Sequence, residues 1–164
     1  MAYADYEFYT TKYYGSAIPD SRSFDKEAER ASDFLDIITF DRLVDGLPDN
    51  ERAQTKIKKA VCALADKLYG LELAEKQALS AAAGSITSGT GGATTGVITS
   101  KSSGSESISY ASPSEIANGA KAWSATYSVA GNERETNKLL YDIAKVYLMG
   151  VIDNEGTLLL YAGF

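Results

Sequence analysis

A long polar stretch, residues 84–114, interrupts a chain that otherwise reads as helix. It runs GSITSGTGGATTGVITSKSSGSESISYASPS and holds 6 of the 14 glycines. Its only charges are Lys101 and Glu106. Gly84 is a natural helix-ending residue, so the preceding helix is expected to stop there. Residues 89–96 read as a mobile lead-in. Residues 97–101 and 107–111 then alternate Val, Ile, Thr and Tyr with polar residues, and 102–106, centred on Ser103-Gly104, reads as the turn between them. So polar a β-hairpin does not stabilise itself. It calls for a partner strand or a neighbouring subunit.

The sequence on each side has helical periodicity. Tyr6, Tyr9 and Tyr13 share one face of a short first helix, with Asp5 as its N-cap and Gly15 as its stop. That aromatic stripe suits packing against another helix better than a subunit contact. Ser23 is a fair N-cap for a second helix running to about Val44. Phe24, Ala28, Ala31, Leu35 and Ile38 form its inward stripe, widened by Phe34 and Ile37. Asp25, Glu29, Asp33 and Asp36 form an acidic outer face, read first as a solvated surface and second as one repelled by DNA phosphates. After the turn Asp45-Gly46-Leu47-Pro48, a third helix starts near Asn50. Its stripe is Ala53, Ile57, Val61, Leu64, Leu68 and Leu71, and its wet face Lys56, Lys58, Lys59 and Asp66. Gly70 is a point where it would weaken or kink. The short connection predicts that the two long helices pair as an antiparallel hairpin.

Beyond the polar stretch, Ser112-Pro113-Ser114-Glu115 matches a capping box. Residues 125–131 fit a helix or an extended segment equally. Asn132-x-x-Glu135 starts a further helix to about Met149, with Leu140, Ile143, Ala144 and Tyr147 inward, ended by Gly150. Asp153-Asn154-Glu155-Gly156 is a turn, and residues 157–161 (TLLLY) a short apolar strand. Such a terminal strand is either tucked into its own fold or offered to another chain.

Little in the chain points to chemistry. It has no histidine, which removes the commonest general base and metal ligand. Its single cysteine, Cys62, lies in an apolar helical run and reads as a core residue. Gly89-x-Gly91 lacks the rest of any nucleotide-binding fingerprint. Ser23-x-x-Lys26 lacks the companion motifs of serine–lysine enzymes. Asp153 to Gly156 is too short for a calcium loop. No catalytic, metal or cofactor site is expected. The net charge of −6 argues against binding nucleic acid through its phosphates. Neither a secretory signal nor a membrane span is visible, so synthesis in a cytoplasm is expected.

Several stretches, in order, resemble the head–tail connector (adaptor) proteins of long-tailed bacteriophages. YEFYTTKYYG followed by IPDSRSFDKEAERASDFLDIITFDRL is similar to the family's aromatic first helix and its E-R-A-S-D-F-like second helix, here Glu29 to Phe34. KIKKAVCALADKLY resembles the next helix, and SKSSGSESISYA the Ser-Glu-rich hairpin. Tyr147-Leu148, a short turn, then Leu159 to Gly163 (LLYAG) resembles the closing arm. Residues 84–96 and 113–131 look longer than the family's core.

The resemblance implies a homo-oligomeric ring, commonly twelvefold, under the portal protein in the virion. Such a ring extends the DNA channel without holding DNA specifically, and presents a surface to the next neck or tail-completion protein. It implies a portal-docking arm containing Leu158, Leu159, Leu160, Tyr161 and Phe164. It also implies an inter-subunit or channel hairpin containing Ile98, Lys101, Gly104, Glu106, Ile108 and Tyr110. The expected fold is mainly α. It is a single domain over 1–164, a small helical bundle with a long helical hairpin, one projecting β-hairpin and a short C-terminal strand. Another neck or tail-completion protein, a small carboxylate-dependent enzyme and a DNA-binding module are the rival readings.

Overall fold

The computed structural model describes residues 2–86, 98–102, 107–110 and 124–160. The protein is mainly helical. Its contacts group into two compact units, Met1–Gly70 with Glu133–Phe164, and Leu71–Asn132.

The first unit opens with α1 (Tyr6–Thr11), whose N-cap Asp5 accepts a hydrogen bond from the Phe8 N–H at 2.7 Å. The helix ends four residues before Gly15. Tyr14 turns the chain with φ 58°, and Gly15 then lies against the Tyr9 ring. A Cβ at position 15 would sit 2.1 Å from Tyr9 Cε2, so only glycine fits.

Helix α2 spans Ser21–Ile38. Its cap is Asp20 rather than Ser23: the Asp20 carboxylate accepts from the Ser23 N–H and hydroxyl, both at 2.9 Å. The helix stops well short of Val44. Buried Thr39 returns its hydroxyl to the Leu35 carbonyl at 2.8 Å, and Phe40 and Asp41 follow at φ 58° and 60°. Leu43 continues the helical spacing of Leu35 and Thr39, yet it reaches the core from a turn. Phe24, Ala28, Ala31 and Leu35 are buried as expected, while Ile37 stays exposed.

Helix α3 spans Glu51–Ile86, with the Asn50 side chain accepting from the Arg52 and Ala53 N–H groups. It passes through both Gly70 and Gly84, so the expected stop at Gly84 is wrong. One glycine costs a helix about 1 kcal/mol relative to alanine, too little to end a run that alanine-rich turns support on its N-terminal side. Ala53, Ile57, Val61, Leu64 and Leu68 are buried in the first unit. So are Ala60, Cys62 and Ala65, which makes the apolar surface of α3 broader there than one stripe.

In the second unit, strands β1 (Ile98–Ser102) and β2 (Ser107–Tyr110) pair antiparallel. Ile98 faces Tyr110, Lys101 faces Ile108 and Ser102 faces Ser107, with an irregularity between Ile98 and Ser100. Helix α4 (Ala125–Val129) decides for helix over the first part of 125–131. Of the turn expected over 102–106, Ser102 lies on β1 instead, paired with Ser107, while 103–106, the expected lead-in over 89–96 and the capping box at 112–115 lie outside the described residues.

Helix α5 (Glu133–Leu148) returns the chain to the first unit and ends at Gly150, φ 75°. Its Leu140, Ala144 and Leu148 join Tyr9, Phe24, Leu35, Ile57 and Leu64 in one hydrophobic core. Beyond it, the Asp153 carboxylate accepts from the Glu155 and Thr157 N–H groups at 2.9 and 2.8 Å, and Gly156 closes the turn at φ 84°. Among the described residues, 157–160, the expected strand is reduced to a single antiparallel bridge between Ile152 and Leu158. The Leu159 N–H donates to the Val151 carbonyl at 2.9 Å, and its side chain is fully buried in the core.

Adjacent leucines at the chain's end therefore differ sharply in weight. Leu159→Ala is expected to destabilise the protein by about 2–5 kcal/mol, as a buried leucine does. Leu158→Ala, at a side chain that is 47% exposed, is expected to shift stability by under about 0.5 kcal/mol. Urea unfolding followed by circular dichroism checks both.

Candidate functional site

Two places in the first unit bring unusual groups together. One is centred on Tyr9. The rings of Tyr6, Tyr9 and Tyr13 stack along α1 and the following turn, with centroids 5.9 and 5.8 Å apart, and Tyr9 packs on Phe24 at 4.7 Å. The fully buried Tyr9 donates its hydroxyl proton to Asp66 Oδ1 at 2.6 Å. The same oxygen accepts from the Ala17 and Ile18 N–H groups at 3.0 and 3.1 Å. Its one donor and both acceptor positions are thus filled.

Asp66 is accordingly not on a wet face. Burial pushes its carboxyl above the ordinary carboxylate range, against the pull of the Tyr9 and Tyr13 hydroxyls and the charge of Lys67. The folded state therefore holds that proton more tightly than the unfolded chain does. The contribution of Asp66 to stability is greatest below the ordinary value of 3.8 and falls as pH rises through the folded one. Burial, followed by the Asp66 charge and Tyr147, pushes the Tyr13 hydroxyl up. One helical turn before Asp66, burial with the charges of Asp66 and Asp5 pushes the Cys62 thiol up to about 12, so it is an inert core thiol.

Tyr13, Ala63, Asp66, Lys67, Ile143, Val146 and Tyr147 line a shallow cleft of about 340 Å3 beside this cluster. The sequence signal for it was the tyrosine itself. A buried tyrosine hydroxyl requires a partner, and an aspartate on a helix buried nearly all round is the natural one. A second group missed from the sequence is Glu27. It is 1% exposed on α2 and pairs with Lys26 at 3.3 Å and Arg30 at 3.0 Å. Its neighbours in the acidic outer face, Asp25, Glu29 and Asp33, are exposed. Asp36 is half-buried, because the Tyr3 hydroxyl donates to it.

The other place is the C-terminal turn. Arg42 Nη1 donates to the carbonyls of Leu158 and Leu159 at 3.1 and 3.2 Å. Its Nε lies 3.7 Å from Asp153, and its guanidinium lies 5.5 Å from the Phe40 ring centre. The Asp49 N–H donates to Asn154 Oδ1 at 2.8 Å. These bonds tie the turn to residues 40–49. On the two segments that these bonds join, large apolar side chains stay exposed: Phe40, Val44, Ile152 and Leu158. Ile152 and Leu158 face each other across the bridge and so share one side of it.

Of the residues expected in a docking arm, Leu158 is therefore exposed, Leu160 is half-buried and packs against the core, and Leu159 is inside it. Leu159 is not available as a docking contact in this arrangement, a correction that follows from its place opposite Val151. Of the hairpin residues, Ile98 and Lys101 lie on β1, and Ile108 and Tyr110 on β2. Gly104, Glu106, Tyr161 and Phe164 lie outside the described residues.

Among the described residues, no group of three His, Cys, Asp or Glu side chains is placed to hold a metal ion, and no helix is long and apolar enough to cross a membrane. No family model matches the chain, and neither a curated protein nor a solved structure matches it.

The Tyr9 hydroxyl titrates up to about 12, raised chiefly by burial and then by its bond to Asp66, from an ordinary 10.0. A folded value above the unfolded one means stability that is full below pH 10 and lost as pH rises towards 12. Tyr9→Phe is expected to cost about 1–3 kcal/mol at neutral pH, because the partners of the hydroxyl are stranded. The gap between wild type and variant should then narrow across that alkaline window. Denaturant unfolding at several pH values measures it, and a constant gap would show that the hydroxyl is not coupled to folding.

Proposed function

We propose that the protein is a structural subunit of a ring at the head–tail junction of a long-tailed bacteriophage. The ring attaches to the portal protein, extends the DNA channel and offers a docking surface to the next neck or tail-completion protein. It acts by assembly rather than catalysis. The ordered resemblance of the sequence to head–tail connectors suggests this reading. One structural observation carries it further: Phe40, Val44, Ile152 and Leu158 are exposed on the two segments that Arg42 ties together. Exposed apolar side chains that adjoin one another, as Ile152 and Leu158 do across their bridge, suit a surface that meets another molecule. They adjoin the very segment that the resemblance assigns to the portal.

In this reading, the docking surface is the C-terminal turn held in place by Arg42. Leu158 and Leu160 contribute to it, Leu159 anchors it from below, and Tyr161 and Phe164 extend it. Helices α2 and α3, read as a long helical hairpin, form the wall of the ring. Strands β1 and β2 form a projecting hairpin, with Ile98, Lys101, Gly104, Glu106, Ile108 and Tyr110 between subunits or at the channel. The acidic face of α2 and the net charge of −6 keep passing DNA unbound. The ring is virion-located and probed best in the presence of the portal.

Deleting the last eight residues is a poor test, since it also removes Leu159 from the core. Leu158→Asp changes the exposed surface alone. It is expected to abolish co-sedimentation with portal protein and the appearance of rings in negative-stain images, while the circular dichroism spectrum and Tm stay within error. Unchanged attachment by this variant would sink the docking assignment. Cross-linking of the wild type to tail-tube protein, with none to portal, would favour another neck or tail-completion role.

A further inference from the structure

We propose that the cleft between the turn after α1, α3 and α5 is a binding site for an alkylguanidinium or alkylammonium group, held by the Asp66 carboxylate between Tyr13 and Tyr147. This site is separate from the Arg42 surface and does not depend on the assembly reading.

Three observations converge on a cation. First, Asp66 lines the cleft as a half-buried carboxylate without an ion pair among the described residues. The Tyr9 and Tyr13 hydroxyls take two of its acceptor positions, and an ionised carboxylate has about four, which leaves room for a bound cation. A carboxylate drawn out of water without a counter-charge is the group whose energy a bound cation improves most. Second, the walls suit an organic cation rather than a metal ion. Tyr13 and Tyr147 supply aromatic rings, which attract cations, and Ile143 and Val146 supply apolar surface for an alkyl stem. One carboxylate with such walls is far from the several oxygens that a hard metal ion requires. Third, the lysine in the cleft does not serve as the counter-ion. Lys67 follows Asp66 directly on α3, and consecutive residues on a helix do not face each other. Its charge eases the ionisation of Asp66 only as the smallest of the contributions.

The cation has two possible sources with the same chemistry: an arginine or lysine side chain of another protein chain, or a free small amine. The test titrates the full-length protein with propylguanidinium, butylammonium, the neutral isostere propylurea and the peptide acetyl-Gly-Arg-Gly-amide. Two-dimensional NMR follows the Tyr13 and Tyr147 ring signals and the Asp66 carboxyl carbon. The two cations should give saturable shifts confined to the cleft, and the midpoint of the Asp66 titration should fall when they are bound. Propylurea should give none. Asp66→Asn keeps an acceptor for Tyr9 and should weaken cation binding by about tenfold or more, as loss of a charge-assisted bond does. Should that variant fold poorly, Val146→Lys serves instead. Val146 is 76% exposed at the rim, so the fold tolerates the change, and the added charge should weaken binding several-fold. Tighter binding of the peptide than of propylguanidinium identifies a side chain as the ligand, and equal binding a free cation. Shifts by propylurea equal to those by the cations, or cation binding unchanged in both variants, would overturn the proposal.

Discussion

The first unit depends on a single phenolic oxygen. The Tyr9 hydroxyl joins α1 to α3 through Asp66, and to the residues leading into α2 through the Ala17 and Ile18 N–H groups. Around it, the ring buries its apolar face on Phe24 while Gly15 closes against the edge. A short helix such as α1 has too few internal hydrogen bonds to persist alone. Its position is fixed by where this tyrosine goes. Because Tyr13 lies one turn further along the same side, fixing Tyr9 also forms one wall of the cleft beside Asp66.

Long-period signals in the sequence translated well into structure. The inward stripes of α2 and α3, Phe24 to Leu35 and Ala53 to Leu68, were legible because a helix repeats every 3.6 residues and one side must leave water. So were the Asp5 cap and the Asp153 turn, which rest on short local hydrogen bonds. What failed was decided by neighbours or by close competitors. Asp20 and Ser23 are both good caps, and the carboxylate wins by taking two bonds from Ser23, which also hold its pKa below the ordinary carboxylate value. The end of α2 was hidden because Leu43 keeps helical spacing from within a turn. Gly84 misled because propensity is a weak prior inside a long helix. Asp66 misled because its charge suggests water, whereas a partner distant in sequence, Tyr9, draws it inward; Glu27, buried beside Arg30, left no signal in the sequence pattern.

Site residues were harder to read than the fold. Three successive leucines at 158–160 suggest an apolar arm, but sequence alone does not separate a strand from a single bridge. Period-two alternation places Leu158 outside and Leu159 inside, and only the bond to Val151 fixes which is which. Arg42 was invisible for a different reason. Its partners are backbone carbonyls near the opposite end of the chain, and no side-chain pattern announces them. The unit thus presents two places of contrasting character, exposed apolar side chains on the segments tied by the Arg42 guanidinium, and a cleft of tyrosine and aliphatic walls around one carboxylate.

The bonds from Arg42 to Leu158 and Leu159 span 116 and 117 residues of sequence. They close a loop that contains the whole of the second unit. The entropic cost of such a closure grows only logarithmically, by about 0.6 kcal/mol for each doubling of length. Lengthening or shortening the intervening segment by a dozen residues therefore barely taxes the clasp. The first unit is built as a frame whose two halves meet whatever is carried between them, so the long polar stretch is free to vary in length without loosening the core that flanks it.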